Sequence, residues 1–281
     1  MNLDSIALER FIRMALEEDI GFGDISTVAT VDVNKTAQGS FIAKSDGIFC
    51  GADVIECIFG RIFTDTKTEI YFKDGSKVKK GDVIGKVSGS ARSLLTGERI
   101  ALNIVQHLSG ISTYTAEIVE KVAGTKASIT DTRKTSPGMR FLEKYAVRIG
   151  GGSNHRYNLS NGMLIKDNHI AAAGGIENAV KLAKKNASHL LKVEVEVETI
   201  SDMLIAIDSG ADVVMLDNMG YDDIEKAVKL ANGRVKIEAS GNMHERDIRR
   251  IALLGVDIIS VGALTHSVRA MDISLKLEMN T

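Results

Sequence analysis

The chain of 281 residues has only two cysteines, a net charge of only −2 and no long apolar run, and each shortage excludes a class of protein. Cys50 and Cys57 are too few and too close for a disulfide framework and match no common zinc spacing, so we expect them in the core. The small net charge provides no basic field for nucleic acid. No run reaches the roughly 18 uncharged apolar residues that span a bilayer. The N-terminus also lacks a signal peptide, which makes the cytoplasm the expected compartment.

The composition, 44% hydrophobic and 26% charged, is typical of a globular protein with one large or two ordinary domains. An amphipathic helix opens the chain, and short alternating runs between 71 and 89 predict hairpins, so the first third should be a small β-rich unit. Apolar residues at helical spacing from 93 to about 122 predict a helical bridge, broken near Ser109 and Gly110.

Beyond this bridge, apolar runs alternate with helical patterns in the order βαβα. Several runs are rich in valine and isoleucine throughout, as parallel strands covered on both faces should be. Helices are predicted at about 175–187, 201–209, 222–232 and 245–254. The predicted strands are ASITDT, MLIKD, KVEVEV, DVVMLD, VKIEAS and DIISVG.

Regular spacing narrows the fold class, because Glu196, Asp217, Ser240 and Gly262 end successive runs at intervals of 21, 23 and 22 residues. A doubly wound sheet is an alternative. Even βα units with polar strand exits nevertheless favour an α/β fold of the β/α-barrel type, whose chemistry lies at the carboxyl ends of the strands. A full barrel has about eight units, and the chain has room for six or seven after Ser128, which predicts an incomplete barrel.

Polar residues at these strand exits should converge on one mouth of the barrel. Basic side chains there can neutralise carboxylates and phosphates, while Glu196 and Asp217 can hold a hard cation through oxygen. The set suits a polyanionic substrate with magnesium, although a single basic residue on a loop is more commonly a solvated surface charge. Its members are Asp131, Arg133, Lys134, Arg156, Lys166, Asp167, Glu196, Asp217, Ser240 and Gly262.

Two further segments support a site at this mouth. Residues 131–156 hold the only proline, three consecutive glycines and six Arg or Lys residues, which favours a ligand-binding loop over a plain flexible linker. Glu194 and Glu196 share one face of a strand and need cations there, so Lys166 or a metal should lie nearby, unless the glutamates form structural salt bridges.

The last two strands are followed by small-residue turns, Ala239–Gly241 and Val261–Ala263. Such turns can present backbone N–H groups to phosphate, or can simply be tight loops. Histidines 107, 155, 169 and 266 have no zincin spacing, so a zinc site is not expected, and His155 and His169 are candidate hydrogen-bond donors in the pocket. The absence of a GxSxG element argues against a Ser-His-Asp hydrolase.

Several long blocks occur in order over nearly the whole chain. They are GERIALNIVQHLSGIST (97–113), DTRKTSPGMRFLEKYAVRIGGGSNHR (131–156), LIKDNHI (164–170), VEVEVE (193–198), LDNM (216–219) and SVGALTHSVRAMDISL (260–275). Together they resemble the quinolinate phosphoribosyltransferase family. The resemblance implies transfer of phosphoribosyl from phosphoribosyl pyrophosphate to quinolinate, with loss of CO2 and formation of nicotinate mononucleotide and pyrophosphate for NAD biosynthesis.

The resemblance also implies a type II phosphoribosyltransferase fold, a requirement for Mg²⁺ and a homodimer with shared active sites, with a hexamer left open. An N-terminal α/β sandwich of residues 1–110, completed by the tail at about 270–281, would lie beside an incomplete β/α barrel of residues 111–269. The partner subunit's Arg99 would reach into the site.

Individual roles follow from the same resemblance. The carboxylates of quinolinate would be held by Arg133, His155, Arg156 and Lys166. The implied catalytic residues are Lys134, on the pyrophosphate side, with Glu196 and Asp217 at the ribose hydroxyls and the metal. Further substrate contacts would be Thr132 and, for the 5-phosphate, Ser240, Gly241, Asn242, Gly262 and Ala263.

One departure from the family pattern lies in the first phosphate turn, which usually reads Ser-Gly-Gly and here ends in Asn242. Asparagine tolerates a left-handed backbone, so we expect the turn to survive. In the implied reaction, ribose C1 becomes positive as pyrophosphate leaves, and the ring nitrogen is then alkylated. The adjacent carboxylate should leave afterwards, without a dedicated acid.

Two alternatives remain open at this point. One is a paralogous protein of the same fold associated with molybdenum transport, which tends to lack the lysine that stands here as Lys166. The other is a carrier or docking module, because residues 71–89 resemble the hairpins of lipoyl and biotinyl domains. Neither Lys79 nor Lys80, however, lies in the usual Asp-Lys or Met-Lys-Met turn.

Overall fold

The computed structural model describes residues 5–280, which form two compact units. The first unit comprises the described residues up to Ala116 together with Pro137–Gly150 and the described residues from Val268 onward. The second unit comprises Glu117–Ser136 and Gly151–Ser267. Within residues 5–280, no helix combines the length and the apolar character needed to cross a membrane.

The secondary structure mixes helices and strands along the whole chain. The strands are β1 (Thr36–Ala43), β2 (Gly47–Ile48), β3 (Thr66–Ile70), β4 (Lys77–Val78), β5 (Val83–Ser90), β6 (Ser128–Thr130), β7 (Met163–Ile165), β8 (Val193–Val197), β9 (Val213–Asp217), β10 (Lys236–Ser240), β11 (Ile258–Ser260) and β12 (Ile273–Met279). The α-helices are α1 (Ser5–Ile20), α2 (Ile25–Thr30), α3 (Ala52–Glu56), α4 (Ala91–Lys121), α5 (Arg140–Ile149), α6 (Asp167–Ala173), α7 (Ile176–Asn186), α8 (Ile200–Asp208), α9 (Tyr221–Ala231), α10 (Ile248–Leu253) and α11 (Ala263–His266). A π-helix covers Cys57–Ile62 and a 3₁₀-helix covers Met243–Glu245.

The first unit contains an antiparallel sheet in the order β12-β1-β5-β3 and a separate β2-β4 pair. Burial alternates along β1, as expected for a strand with one covered face. The predicted opening helix is α1, which buries Leu8, Ile12 and Leu16 at helical spacing. Cys50 and Cys57 are both buried and free, which confirms the prediction that they are core residues.

Helix α4 runs without interruption, so the predicted break near Ser109 and Gly110 is wrong. The small residues serve packing instead: a Cβ on Gly110 would lie 2.4 Å from the carbonyl oxygen of Arg269. The hydroxyl of Ser109 accepts a hydrogen bond from the Cys50 amide at 3.0 Å and donates one to the Cys50 carbonyl at 3.1 Å. Close approach of backbone to helix explains both residues.

The second unit contains a parallel sheet of six strands in the order β6-β11-β10-β9-β8-β7. Each predicted strand is present, and helices α7 to α10 overlap the four predicted ranges. The predicted class, an incomplete β/α barrel with a smaller N-terminal domain, is therefore confirmed, with six parallel strands. Strand register places Glu238 beside Met215 and Ser240 beside Asp217, so neighbouring strands present inner side chains at the same level.

The segment 131–156, predicted as a ligand-binding loop, contains helix α5 in its middle. Glu143 and Lys144 of this helix are buried, and residues 137–150 belong to the first unit. Gly150 is required for packing, because a Cβ there would lie 2.5 Å from the carbonyl oxygen of Ser112 in α4. The prediction that the glycines approach a ligand is corrected here: Gly150 contacts a helix.

Candidate active site at the carboxyl ends of the parallel strands

The strand exits of the second unit line a cavity of about 400 Å³. Its walls bring together nine of the residues that sequence singled out: Thr132, Arg133, Lys134, His155, Arg156, Lys166, Glu196, Asp217 and Ser240. The remaining lining residues are Leu164, Met215, Glu238 and Ser260. Basic and acidic side chains from several strands therefore face one space, as parallel strands ending at one edge require.

Other candidates lie outside this lining. Arg99 belongs to the first unit, where it is exposed on α4. Asp167 is the first residue of α6. His169, expected as a donor in the pocket, accepts a hydrogen bond at Nδ1 from the Lys166 amide at 3.1 Å and lines a separate groove, so that expectation is corrected. The turn residues outside the lining are Gly241, Asn242, Gly262 and Ala263.

Two guanidinium groups, those of Arg133 and Arg156, share the cavity. Burial lowers the pKa of Arg156, the positive charge of Arg133 lowers it further, and the negative charge of Glu194 opposes both effects. Arg156 Nη1 donates to the carbonyl of Gly162 at 3.1 Å, which fixes the direction of its side chain. A partly desolvated pair of like charges attracts an anion, and the planar guanidinium suits a carboxylate.

Asp131 supports this wall from behind. Sequence placed it among the residues of the mouth, but it is fully buried. Its carboxylate accepts from Asn154 Nδ2 at 2.6 Å and from the His155 amide at 2.9 Å. Because these bonds fix residues 154 and 155, Asp131 sets the backbone that carries Arg156.

The opposite wall carries the carboxylates. Lys166 Nζ forms an ion pair with Glu196 Oε2, as the need of Glu196 for a cation predicted. Asp217 lines the cavity from the neighbouring strand, and its Oδ2 accepts from Asn218 Nδ2 at 2.9 Å. Glu196 and Asp217 offer only oxygen donors, which is the donor set that suits Mg²⁺.

The turn after β10 depends on left-handed backbone. Gly241 has φ +95°, and a Cβ on it would lie 2.2 Å from Asn218 Oδ1. Asn242 has φ +43°, which confirms that asparagine adopts the left-handed conformation that this turn needs. The second small-residue turn is tied to the cationic loop, because Thr265 Oγ1 donates to the carbonyl of Lys134 at 2.7 Å.

A cluster of His155, Glu194 and Glu238 lies at the floor of the cavity, with ligand-type atoms all within 4.8 Å of one another. His155 Nε2 is 3.0 Å from Glu194 Oε2, and His155 Nδ1 accepts from the Arg156 amide at 2.8 Å. This pattern assigns the proton of a neutral imidazole to Nε2. Burial, and then the charge of Glu194, raise the pKa of Glu238 to about 8.

Sequence reasoning missed Glu238. The available signal was strand alternation, since Glu238 lies two residues before Ser240 and therefore on the same face of β10.

An incomplete β/α barrel with arginines, lysines and carboxylates at its strand exits defines an enzyme for polyanionic substrates. Family models described as quinolinate phosphoribosyl transferase, N-terminal domain and C-terminal domain, match residues 24–109 and 111–276. The chain belongs to the quinolinate phosphoribosyltransferase family and is an enzyme of the pentosyltransferase class.

Individual relatives cover the chain from end to end. It is 42% identical over 278 residues to the probable nicotinate-nucleotide pyrophosphorylase (carboxylating) of Bacillus subtilis (strain 168), covering 99% of this chain and 96% of the relative. A chloroplastic nicotinate-nucleotide pyrophosphorylase (carboxylating) of Arabidopsis thaliana is 43% identical over 292 residues, with 96% and 83% covered. The solved nicotinate-nucleotide pyrophosphorylase of Francisella tularensis superimposes with a TM-score of 0.92 at 40% identity, with 99% and 98% covered.

Proposed function

We propose that this protein transfers phosphoribosyl from phosphoribosyl pyrophosphate to quinolinate with decarboxylation. The products are nicotinate mononucleotide, pyrophosphate and CO2, and the step serves NAD biosynthesis. The observation that carries the proposal is the pairing of Arg133 with Arg156 beside Lys166 in one cavity of a chain that matches the family throughout. A rigid dicarboxylate matches this group of cations.

Quinolinate binds on the basic wall. Arg133, Arg156 and Lys166 neutralise its two carboxylates, and the lowered pKa of Arg156 supports this assignment, because a bound anion would relieve its repulsion from Arg133. His155 contributes from the floor of the cavity. Lys166 must then divide its charge between Glu196 and the substrate.

Phosphoribosyl pyrophosphate binds across the strand exits. Lys134 contacts the pyrophosphate, Thr132 adds a polar contact, and the turns at 240–242 and 262–263 bind the 5-phosphate. Glu196 and Asp217 hold the ribose hydroxyls and a Mg²⁺ ion. When bound, this ion supplies positive charge to the pyrophosphate leaving group.

The bound geometry sets the order of events. As pyrophosphate leaves, ribose C1 becomes positive, and the basic wall keeps the ring nitrogen of quinolinate aligned with it. Once alkylated, this nitrogen is positive and stabilises the electron pair that remains at C2 when CO2 departs. Detection by NMR of free nicotinate before any nucleotide would contradict this order.

We further propose a homodimer in which the partner subunit's Arg99 completes each site. Its exposure on α4 supports the assignment, because an exposed guanidinium is available to a second chain. Dimers could assemble further into hexamers.

One assay tests the function directly. Purified protein is incubated with quinolinate, phosphoribosyl pyrophosphate and Mg²⁺, and nicotinate mononucleotide and CO2 are followed. We expect both products from the parent and from the surface control Lys181→Ala, and neither from Lys166→Ala. Turnover with a different carboxylated ring but not with quinolinate would overturn the substrate, and no turnover with any phosphoribosyl acceptor would overturn the transferase activity.

A further inference from the structure

The proposed reaction leaves one proton to be supplied. Departure of CO2 needs no acid, but the electron pair that it leaves on ring C2 must take up a proton before nicotinate mononucleotide is complete. No cation of the basic wall is needed for this step, because those side chains neutralise the substrate's carboxylates and phosphates. The inference below rests on the proposed function.

Glu238 is placed to supply this proton. Its side chain is 1% exposed and lines the catalytic cavity from β10. Among residues 5–280, its Oε1 is a buried oxygen without a hydrogen-bond partner. A buried carboxyl oxygen is costly to leave unpaired, so its retention at the floor of a catalytic cavity indicates a use.

We propose that Glu238 is the general acid that protonates C2 of the nucleotide after CO2 has left, and that Glu194 and His155 hold it in place. The O–H bond of the Glu238 carboxyl breaks, the proton joins the electron pair on C2, and a C–H bond forms. Glu238 is left as a carboxylate and takes a proton from water before the next turnover. The overall reaction thus consumes one proton from solvent.

A second cavity provides the route for that return proton. It has a volume of about 500 Å³, and its walls include Ser128, Lys192, Val213 and Ile258, which lie at or just before the amino ends of their strands. Glu238 lines both cavities, as do His155 and Arg156. Water can therefore reach Glu238 from the opposite end of the barrel while substrates fill the catalytic cavity.

The charges around Glu238 favour a neutral acid. The titratable groups that face it are Glu194 from β8 and His155 from the segment after β6. β9 and β11 present Met215, Ile258 and Ser260, which do not titrate. Burial and Glu194 raise the pKa of Glu238 to about 8, so it carries a proton at neutral pH, and repulsion from Glu194 draws the proton back after each transfer.

Glu238→Gln tests the assignment, with Glu225→Gln on the exposed face of α9 as the matched control. In a single turnover we expect Glu238→Gln to release pyrophosphate within about threefold of the parent rate, while nicotinate mononucleotide forms at least about 100-fold more slowly. The dicarboxylate nucleotide should accumulate, and carbon-13 from dissolved CO2 should exchange into it, because the unprotonated carbon recaptures CO2. Glu225→Gln should match the parent.

Three results would overturn the inference. They are an unchanged rate of nicotinate mononucleotide formation in Glu238→Gln, an equal loss of both rates, and a stoichiometric metal ion bound in the parent that is lost from Glu238→Gln. Failure of the parent to release pyrophosphate would instead overturn the proposed function, so the two failures are distinguishable.

The parent alone provides a second measurement if Glu238→Gln does not fold. The ratio of nicotinate mononucleotide formation to pyrophosphate release in one turnover should fall about tenfold per pH unit above about pH 8, as Glu238 loses its proton. A ratio that stays constant up to pH 9.5 would overturn the inference.

Discussion

Lys166 and Glu196, which stand on neighbouring strands at the mouth of the second unit, form an ion pair in the absence of any substrate. The pair holds a cation meant for a substrate carboxylate and an anion suited to a metal ion in one neutral contact. Both side chains are partly exposed, so water screens the contact and it can be exchanged at low cost. Ligand binding therefore separates these two charges.

Replacing Lys166 by methionine should affect substrate and metal in opposite directions. We expect kcat/KM for quinolinate to fall at least about 100-fold, because a charged hydrogen bond to the carboxylate is lost. The residual activity should reach half its maximum at a lower Mg²⁺ concentration, because Glu196 no longer has a competing cation. Lys181→Met, on exposed α7, is the control, and an unchanged Mg²⁺ dependence would show that Lys166 and the metal do not share Glu196.

Mixing two inactive variants tests the shared site. Arg99→Ala and Lys166→Ala should each be inactive alone. After subunit exchange, half of the dimers are mixed and each mixed dimer has one intact site, so about a quarter of the parent activity should return. Sedimentation of the mixture confirms exchange of subunits. If the exchanged mixture stays inactive, Arg99 does not act across subunits.

Gly241→Ala should destabilise the protein more than Gly233→Ala. Both glycines have positive φ, but a Cβ at Gly233 meets nothing within 4 Å, whereas at Gly241 it would lie 2.2 Å from Asn218 Oδ1 and 2.7 Å from the Asn218 amide nitrogen. Strain alone costs about 1–3 kcal/mol, so we expect Gly241→Ala to lose at least about 2 kcal/mol more in urea unfolding. Equal losses would mean that the turn relaxes freely.

Glu238 makes stability depend on pH in a defined direction. Its pKa is raised to about 8 in the folded protein, against about 4.3 in an unfolded chain, so the folded state binds more protons between these values. The contribution of Glu238 to the free energy of unfolding is complete below about pH 4.3 and is lost as the pH rises through about 8.

Glu238→Gln should therefore gain stability relative to the parent as the pH is raised from 5 to 8, with the difference levelling off above about pH 9. Chemical denaturation at several pH values measures this difference. Glu225→Gln provides the control, because its exposed carboxyl has a lowered pKa and should give no such rise. A pH-independent difference would mean that Glu238 is ionised throughout.

Sequence patterns predicted the parallel strands well because each is a short apolar run with a polar exit, and such runs have few alternative structures. Helix α5 was missed because Glu143 and Lys144 suggested a solvated loop, whereas the structure buries both. Burial of paired charges depends on tertiary partners, which local patterns do not contain. The break predicted in α4 failed for the same reason, since Gly110 answers to the distant Arg269.

The candidate site was predictable where its residues end strands, as Lys166, Glu196 and Asp217 do. Glu238 was not, because a glutamate inside a strand carries no local mark of the proton that it holds. That property comes from Glu194 on another strand and from burial, both of which exist only after folding.

The order of strands has a consequence for synthesis. β6 pairs with β11, about 130 residues later in the chain, and β1 pairs with β12, the last strand. Both sheets therefore acquire a pairing partner for an early strand only when the final residues have left the ribosome, and such long-range pairing is slow. Until then β1 and β6 each present an unpaired edge, which makes the unfinished chain a substrate for chaperones and leaves products truncated before β11 unable to complete either sheet.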